Sequence, residues 1–215
     1  MTNKSEKYYF AKRVALFISG LITMAFGVAL AVKADIGVAP GSVIPYSVSL
    51  LVPLSVGMCS TLFHALCGLI QLIMNRRVTL KLILQFPIAY VFGFLLDFFL
   101  GFMTFDLHSI VFRIIFILAA IFTFSYGLRA IVGANVLIMP PDGLTWAVGN
   151  KLNWPMSKSK LVYDIIVTVI GILIMWIFAG NAFLSVNIGT VICAVGTGPV
   201  IGLYTKLLPS LDMDK

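Results

Sequence analysis

Residues 27–40 read GVALAVKADIGVAP, and residues 127–140 read GLRAIVGANVLIMP. Set one above the other, Gly27 meets Gly127, Val32 meets Val132, Ala34 meets Ala134, Asp35 meets Asn135 and Pro40 meets Pro140. The register runs on through Tyr46 against Trp146 and Phe63 against Tyr163. A short insertion then moves the offset from 100 to 105, and Ile83 meets Ile188, Ala89 meets Ala194 and Gly93 meets Gly198. Chance pairs apolar residues easily. It does not readily align the proline and glycine punctuation as well, so we read a duplication.

The solvent of this chain follows from its composition. Of 215 residues, 60% are hydrophobic and 11% charged, with a mean hydropathy of +1.07. Soluble domains run near 45–50% apolar and about 25% charged. One water-soluble core of this size does not hide so much apolar surface. The expectation is an all-α polytopic membrane protein. A soluble enzyme, a nucleic-acid-binding domain and a disordered chain are excluded.

A spanning helix takes about 20 mostly apolar residues. Six runs qualify, near 14–33, 57–75, 82–104, 110–132, 159–180 and 184–208. Two further stretches, 40–55 and 140–154, are too short and too broken by Pro and Gly to cross. They read as re-entrant or interfacial, which is tolerated only inside protein or beside a wet cavity. The chain then divides into a cytoplasmic segment 1–13, a first repeat 14–105, a second repeat 106–208 and a cytoplasmic tail 209–215. The first run has no small-residue cleavage site and reads as a retained helix rather than a signal peptide.

Each repeat holds three spans, an odd number, so the two cross in opposite senses. Inverted repeats with broken segments at matching places point to secondary transporters, with the solute between the broken segments. Here those would be Pro40, Gly41 and Ser42 on one side and Pro141, Asp142 and Gly143 on the other.

Charge placement orients the chain. Lys4, Lys7, Lys12 and Arg13 precede span one; Arg76, Arg77 and Lys81 follow span two. Lys151, Lys158 and Lys160 precede span five, and Lys206 and Lys215 end the chain. All of these share one side, and only Lys33 and Arg113 fall on the other. By the positive-inside rule both termini are cytoplasmic. The net charge of +7 is thereby a matter of topology and the lipid bilayer, with no nucleic acid as partner.

Cys59, Cys67 and Cys193 are odd in number and lack C-x-x-C spacing, so they read as small buried hydrophobes. No metal-ligand spacing, nucleotide loop or nucleophile elbow is present. No enzyme activity, cofactor or metal is expected.

Polar residues within the spans carry the remaining signal, since ionisable groups at that depth need a partner or water. Gln85, Ala89, Gly93, Asp97 and Gly101 form a stripe on span three. His64, Gly68 and Gln71 share a face of span two, and Asp164, Thr168 and Gly171 share the matching face of span five. Arg129 in span four lies near the depth of Asp164, which predicts an Arg129–Asp164 pair unless Arg129 snorkels to the headgroups. Asp142 is placed to cap the inner short segment. The expected outer cluster is Lys33, Asp35, His64 and Asp97, and the inner one Arg129, Asp142 and Asp164. Asp97 is expected to face the solute cavity and titrate. His108 reads as a solvated loop residue, and Trp146, Trp154 and Tyr163 as interfacial aromatics.

The stretch Met139-Pro140-Pro141-Asp142-Gly143-Leu144, followed by Ile188-Gly189-Thr190 and Gly198-Pro199, has first-half counterparts in Ile36-Gly37-Val38-Ala39-Pro40 and Val56-Gly57. This ordered set resembles the YczE/YyaS/YitT-like bacterial integral membrane proteins, in the YczE-like branch. The resemblance implies a bacterial inner-membrane protein of unassigned activity, often suspected of transport. Relatives commonly have Arg where this chain has Pro141, and Glu where it has Asp164. The first departure removes a cation from the inner segment.

The function expected is secondary transport of a small polar or charged solute by alternating access. The alternatives are a substrate-capture subunit of a larger transporter and a non-transporting assembly or regulatory factor. The small size and glycine-rich faces are compatible with a homodimer.

Overall fold

The computed structural model describes residues 3–208, with side chains from Tyr8 onward; the tail 209–215 and the lysines before Tyr8 lie outside that description. Among the described residues the regular structure is entirely helical. The helices are α1 (Asn3–Ala34), α2 (Val43–Ser49), α3 (Val56–Asn75), α4 (Leu80–Phe102), α5 (Ile110–Ala134), α6 (Pro140–Leu152), α7 (Met156–Ala179) and α8 (Ile188–Leu207), and a single 3-10 turn, Pro40–Ser42, leads into α2. Six of them are long and apolar enough to cross a membrane: the Tyr8–Ala34 part of α1, and α3, α4, α5, α7 and α8. The protein is a polytopic, all-α membrane protein.

Local chemistry sets the ends. Ser55, Thr79, Ser109 and Asn187 begin α3, α4, α5 and α8, and each side chain accepts a backbone N–H of the first turn. Such caps satisfy donors that the helix leaves open. Arg76, Asn135 and Asn153 sit at C-caps with φ of 50, 47 and 52°, left-handed values that asparagine tolerates better than most residues. The last span starts at Ile188, later than its apolar content suggests. Asn181 and Asn187 bind backbone N–H groups of Phe183 and Ile188, so 181–187 becomes a capped turn despite Phe183 and Leu184.

The aligned positions have matched local structure. Asp35 and Asn135 are both left-handed, at φ 52 and 47°. Pro40 and Pro140 each open a helical segment, after Ala39 at φ −57°, ψ 144° and Met139 at φ −62°, ψ 146°. Proline suits a first helical position because its missing N–H would be unpaired there.

In lipid, helices gain little from hiding apolar surface from one another, and small residues that permit close approach matter more. The centre is built that way. α1 and α5 lie along each other, with Ala25, Ala29, Ala34, Ala130 and Ala134 fully buried. A Cβ on Gly127 would sit 2.6 Å from the Gly20 carbonyl oxygen, so both positions require glycine. α4 packs on α1 as α8 packs on α5. Leu21, Met24, Val28, Phe92, Leu96 and Ile131 fill the largest apolar cluster.

Candidate functional site

The two short helices are wedged between the same two long ones. α2 packs on α3 and α7, and α6 packs on α3 and α7. The four form a ring in which neither diagonal pair is extensively packed. Across it, Cys67 Sγ of α3 lies 3.8 Å from the Tyr163 hydroxyl of α7.

At the α3–α6 corner the Gln71 side-chain amide adds hydrogen bonds to the helix packing. Its Nε2 donates to the Pro140 carbonyl at 2.8 Å and to Gln85 Oε1 of α4 at 3.1 Å. Gly143 is buried beside the Gln71 side chain, where a Cβ would meet its Oε1 at 2.5 Å. Pro141 is buried, and the Thr145 hydroxyl donates to its carbonyl at 2.9 Å.

At the α6–α7 corner stands a charged triad. Lys160 Nζ lies 3.5 Å from Asp142 and 3.2 Å from Asp164. The three side chains are 20–35% exposed, so solvent screens them in part. Asp164 Oδ1 accepts no in-line hydrogen bond, so its link to Lys160 is an ion contact rather than a directed bond. With two carboxylates against one ammonium, the triad carries a surplus negative charge. Lys160 also lies 5.2 Å from the centroid of the Tyr163 ring.

The α2 corner is neutral. The Ser47 and Ser185 hydroxyls are 2.7 Å apart, and Val43 and Ser47 lie against Gly171 of α7. Pro40, Gly41 and Ser42 are half-buried and pack on α7 and α8; Ser42 lines a small gap with Ala39, Gly27, Phe124 and Thr197. Burial, and then the adjacent Asp35 carboxylate, raise the Tyr46 phenol to about 12, so it stays neutral.

The expected clusters are rearranged. Asp164 pairs with Lys160 and not with Arg129: matched depth on two helices leaves their azimuths free, and Lys160 lies one turn back on the same helix. Arg129 is 7% exposed, and its buried Nε has no hydrogen-bond partner among the described residues. Asp142 lies in the first turn of α6 but does not cap it; its carboxylate goes to Lys160.

Asp97 does not face the ring as expected. It accepts the Ser55 hydroxyl at 2.5 Å and the Gly57 N–H at 2.8 Å, and so completes the N-terminus of α3. His64 is not part of an outer cluster either. It is buried with its ring 5.2 Å from that of Phe92, and its Nδ1 has no partner. Lys33 and Asp35 instead line an open cleft of about 520 Å³ with Asp106, His108 and Arg113. There Lys33 pairs with Asp106 at 3.7 Å and Arg113 with Asp35 at 3.2 Å.

Sequence reasoning missed Lys160, counting it only as a topology signal, although Lys160 and Asp164 stand at the i,i+4 spacing that faces side chains to each other. It also missed the Arg113–Asp35 link, which joins residues far apart in sequence. Cys59, Cys67 and Cys193 are free and buried as expected. Among the described residues no group of His, Cys, Asp or Glu is placed to hold a metal ion.

The fold and this ring define a multi-pass helical membrane protein with polar and charged groups held between broken and unbroken helices. The chain belongs to a family of unknown function (DUF6198), whose model matches residues 11–206. No curated protein and no solved structure matches it.

Proposed function

We propose that this protein is a secondary transporter of a small polar or charged solute, working by alternating access in a bacterial inner membrane with both termini cytoplasmic. The carrying observation is the placement of α2 and α6. The helical segments that hold them open at equivalent prolines 100 residues apart, Pro40 in the 3-10 turn that leads into α2 and Pro140 at the start of α6, with matched backbone before them, and both helices are wedged between α3 and α7. We read the halves as an inverted repeat and the ring as the solute site. Short or interrupted helices at matching places of inverted halves are where such carriers hold their cargo. The resemblance to the YczE-like proteins belongs to the same reading.

In this reading the Asp142–Lys160–Asp164 triad is the ion-coupling group. Its surplus negative charge lies at a ring corner with partial water access, so it can exchange a proton or cation as access changes. Arg129 is the charge partner or anion contact of the transport cycle. Asp97 and His64 are structural.

A panel of small solutes tested for thermal stabilisation of the purified protein, followed by uptake into liposomes containing it alone, tests this. A true cargo at about 100 times its Kd adds about 2.7 kcal/mol to apparent stability. Asp164→Asn is expected to abolish pH-driven uptake and to leave cargo-induced stabilisation in place. Uptake that appears only with a co-purified ATPase would make the chain a capture subunit. Neither stabilisation nor uptake across the panel would defeat both readings and leave a membrane assembly factor.

A further inference from the structure

The halves agree contact for contact except in one place. α1–α4 corresponds to α5–α8, α2–α3 to α6–α7, and α2–α7 to α6–α3, and all of these pack. α3–α4 packs closely, but its counterpart α7–α8 does not pack along its length. Gly93 shows the contrast best. A Cβ there would run into Thr61 Oγ1 and the Gly57 carbonyl, while a Cβ on its counterpart Gly198 would meet nothing within 4 Å. Gly202 is equally open, and both glycines are exposed on the flank of α8.

Closure of that gap has a charge consequence. His64 of α3 lies on Phe92 of α4. Their counterparts are Asp164 and Thr197. The Thr197 carbonyl is already within 3.4 Å of the Ser125 hydroxyl of α5, and Arg129 is one turn further along α5. If α7 lay on α8 as α3 lies on α4, Asp164 would arrive beside Thr197, near Arg129, whose buried Nε has no hydrogen-bond partner among the described residues. An unpaired buried charge is costly, and a carboxylate brought to it removes that cost.

We propose that the protein has a second conformation in which α7 closes on α8 and Asp164 leaves Lys160 to pair with Arg129. Ser157 and Leu161 replace Gly57 and Thr61, so the closed α7–α8 pair is wider than α3–α4, and the open flank at Gly198 receives Leu161. The inference rests on the inverted-repeat reading above and gives it a moving part: the triad loses one carboxylate when the inner end of α7 shuts. Ligands or membrane potential then act by favouring one state, which requires different interactions in the two.

The test is cross-linking of the full chain in membrane vesicles, with Cys59, Cys67 and Cys193 replaced by alanine. The pair Leu161→Cys with Gly198→Cys has no contact in the present structure, and oxidation joins two cysteines only when their Cα atoms come within about 4.4–6.8 Å. The pair Ser47→Cys with Ser185→Cys, whose native hydroxyls are 2.7 Å apart, reports on folded protein.

The 161–198 pair is expected to form an intramolecular disulfide. Adding Arg129→Gln or Asp164→Asn is expected to lower its yield by about tenfold, within the range of about 5–150-fold that coupling energies of this kind span, with the 47–185 yield unchanged. The proposal is overturned if 47–185 joins and 161–198 does not. It is also overturned if 161–198 joins only between chains, which makes the gap a dimer contact, or if neither charge variant changes the yield. Uptake by the same preparation separates the two claims. Uptake without an intramolecular 161–198 link overturns the second conformation alone, and the link without uptake overturns transport alone.

Discussion

Gly57 of α3 and Gly93 of α4 meet at backbone distance, and Asp97 reaches across the same junction to Ser55 and the Gly57 N–H. In the second half Gly198 and Gly202 stand where Gly93 and Asp97 stand in the first, and nothing lies against either. One half is locked by a glycine contact and a carboxylate on a helix end. The other has a glycine without its partner and no carboxylate. Glycine permits close approach but does not compel it. The partner face and a polar tie decide whether the approach is made.

The comparison can be broken by substitution, and the largest effect belongs to the closed junction. Gly93→Val places a branched side chain against the α3 backbone and Thr61, and is expected to lose more than about 3 kcal/mol of stability through overpacking. Denaturant titration in detergent micelles would show it. A loss below about 1 kcal/mol would mean that α3 and α4 stand apart as α7 and α8 do.

The polar tie is next in size. Asp97→Ala removes the acceptor of one hydroxyl and one backbone N–H, and because one bond is exposed and the other part-buried it is expected to lose about 1.5–3 kcal/mol in all. Asp97→Asn keeps an oxygen for the Gly57 N–H, and its melting temperature is expected to fall by less than half as much. Equal losses for Asn and Ala would show that charge, rather than the hydrogen bond to α3, holds the junction.

The smallest effect belongs to the open flank. Gly198→Ala meets no atom within 4 Å, so it is expected to be neutral within about 0.5 kcal/mol, or to stabilise by up to about 1 kcal/mol through helix propensity. A calorimetric loss comparable to that of Gly93→Ala would place α8 against α7 in the resting protein and remove the difference between the halves.

Much of the frame was legible residue by residue. Continuous apolar runs mark the spans because unpaired backbone in lipid leaves helix as the local solution. Pro40 and Pro140 mark two short helices because proline suits a first turn and breaks an interior one. Asp35 and Asn135 mark the left-handed turns after α1 and α5. Hydropathy placed the start of the last span too early, because a window average is blind to the Asn187 cap. The site was legible as a set of residues and not as a set of pairs. Asp142 and Asp164 do meet at one corner, but through Lys160.

By itself the sequence determined the solvent, the number of spanning helices and the order of short and long elements. Each of these depends on interactions within a few turns of chain or between chain and lipid. Only the tertiary structure decided that Asp97 completes α3, that Lys160 bridges Asp142 and Asp164, that the Nε of Arg129 is buried without a hydrogen-bond partner among the described residues, and that α3–α4 closes where α7–α8 does not. Depth along a helix follows from residue count at about 1.5 Å per residue. The rotation of one helix against another follows from which side chains interlock, and no spacing within a single helix contains that information.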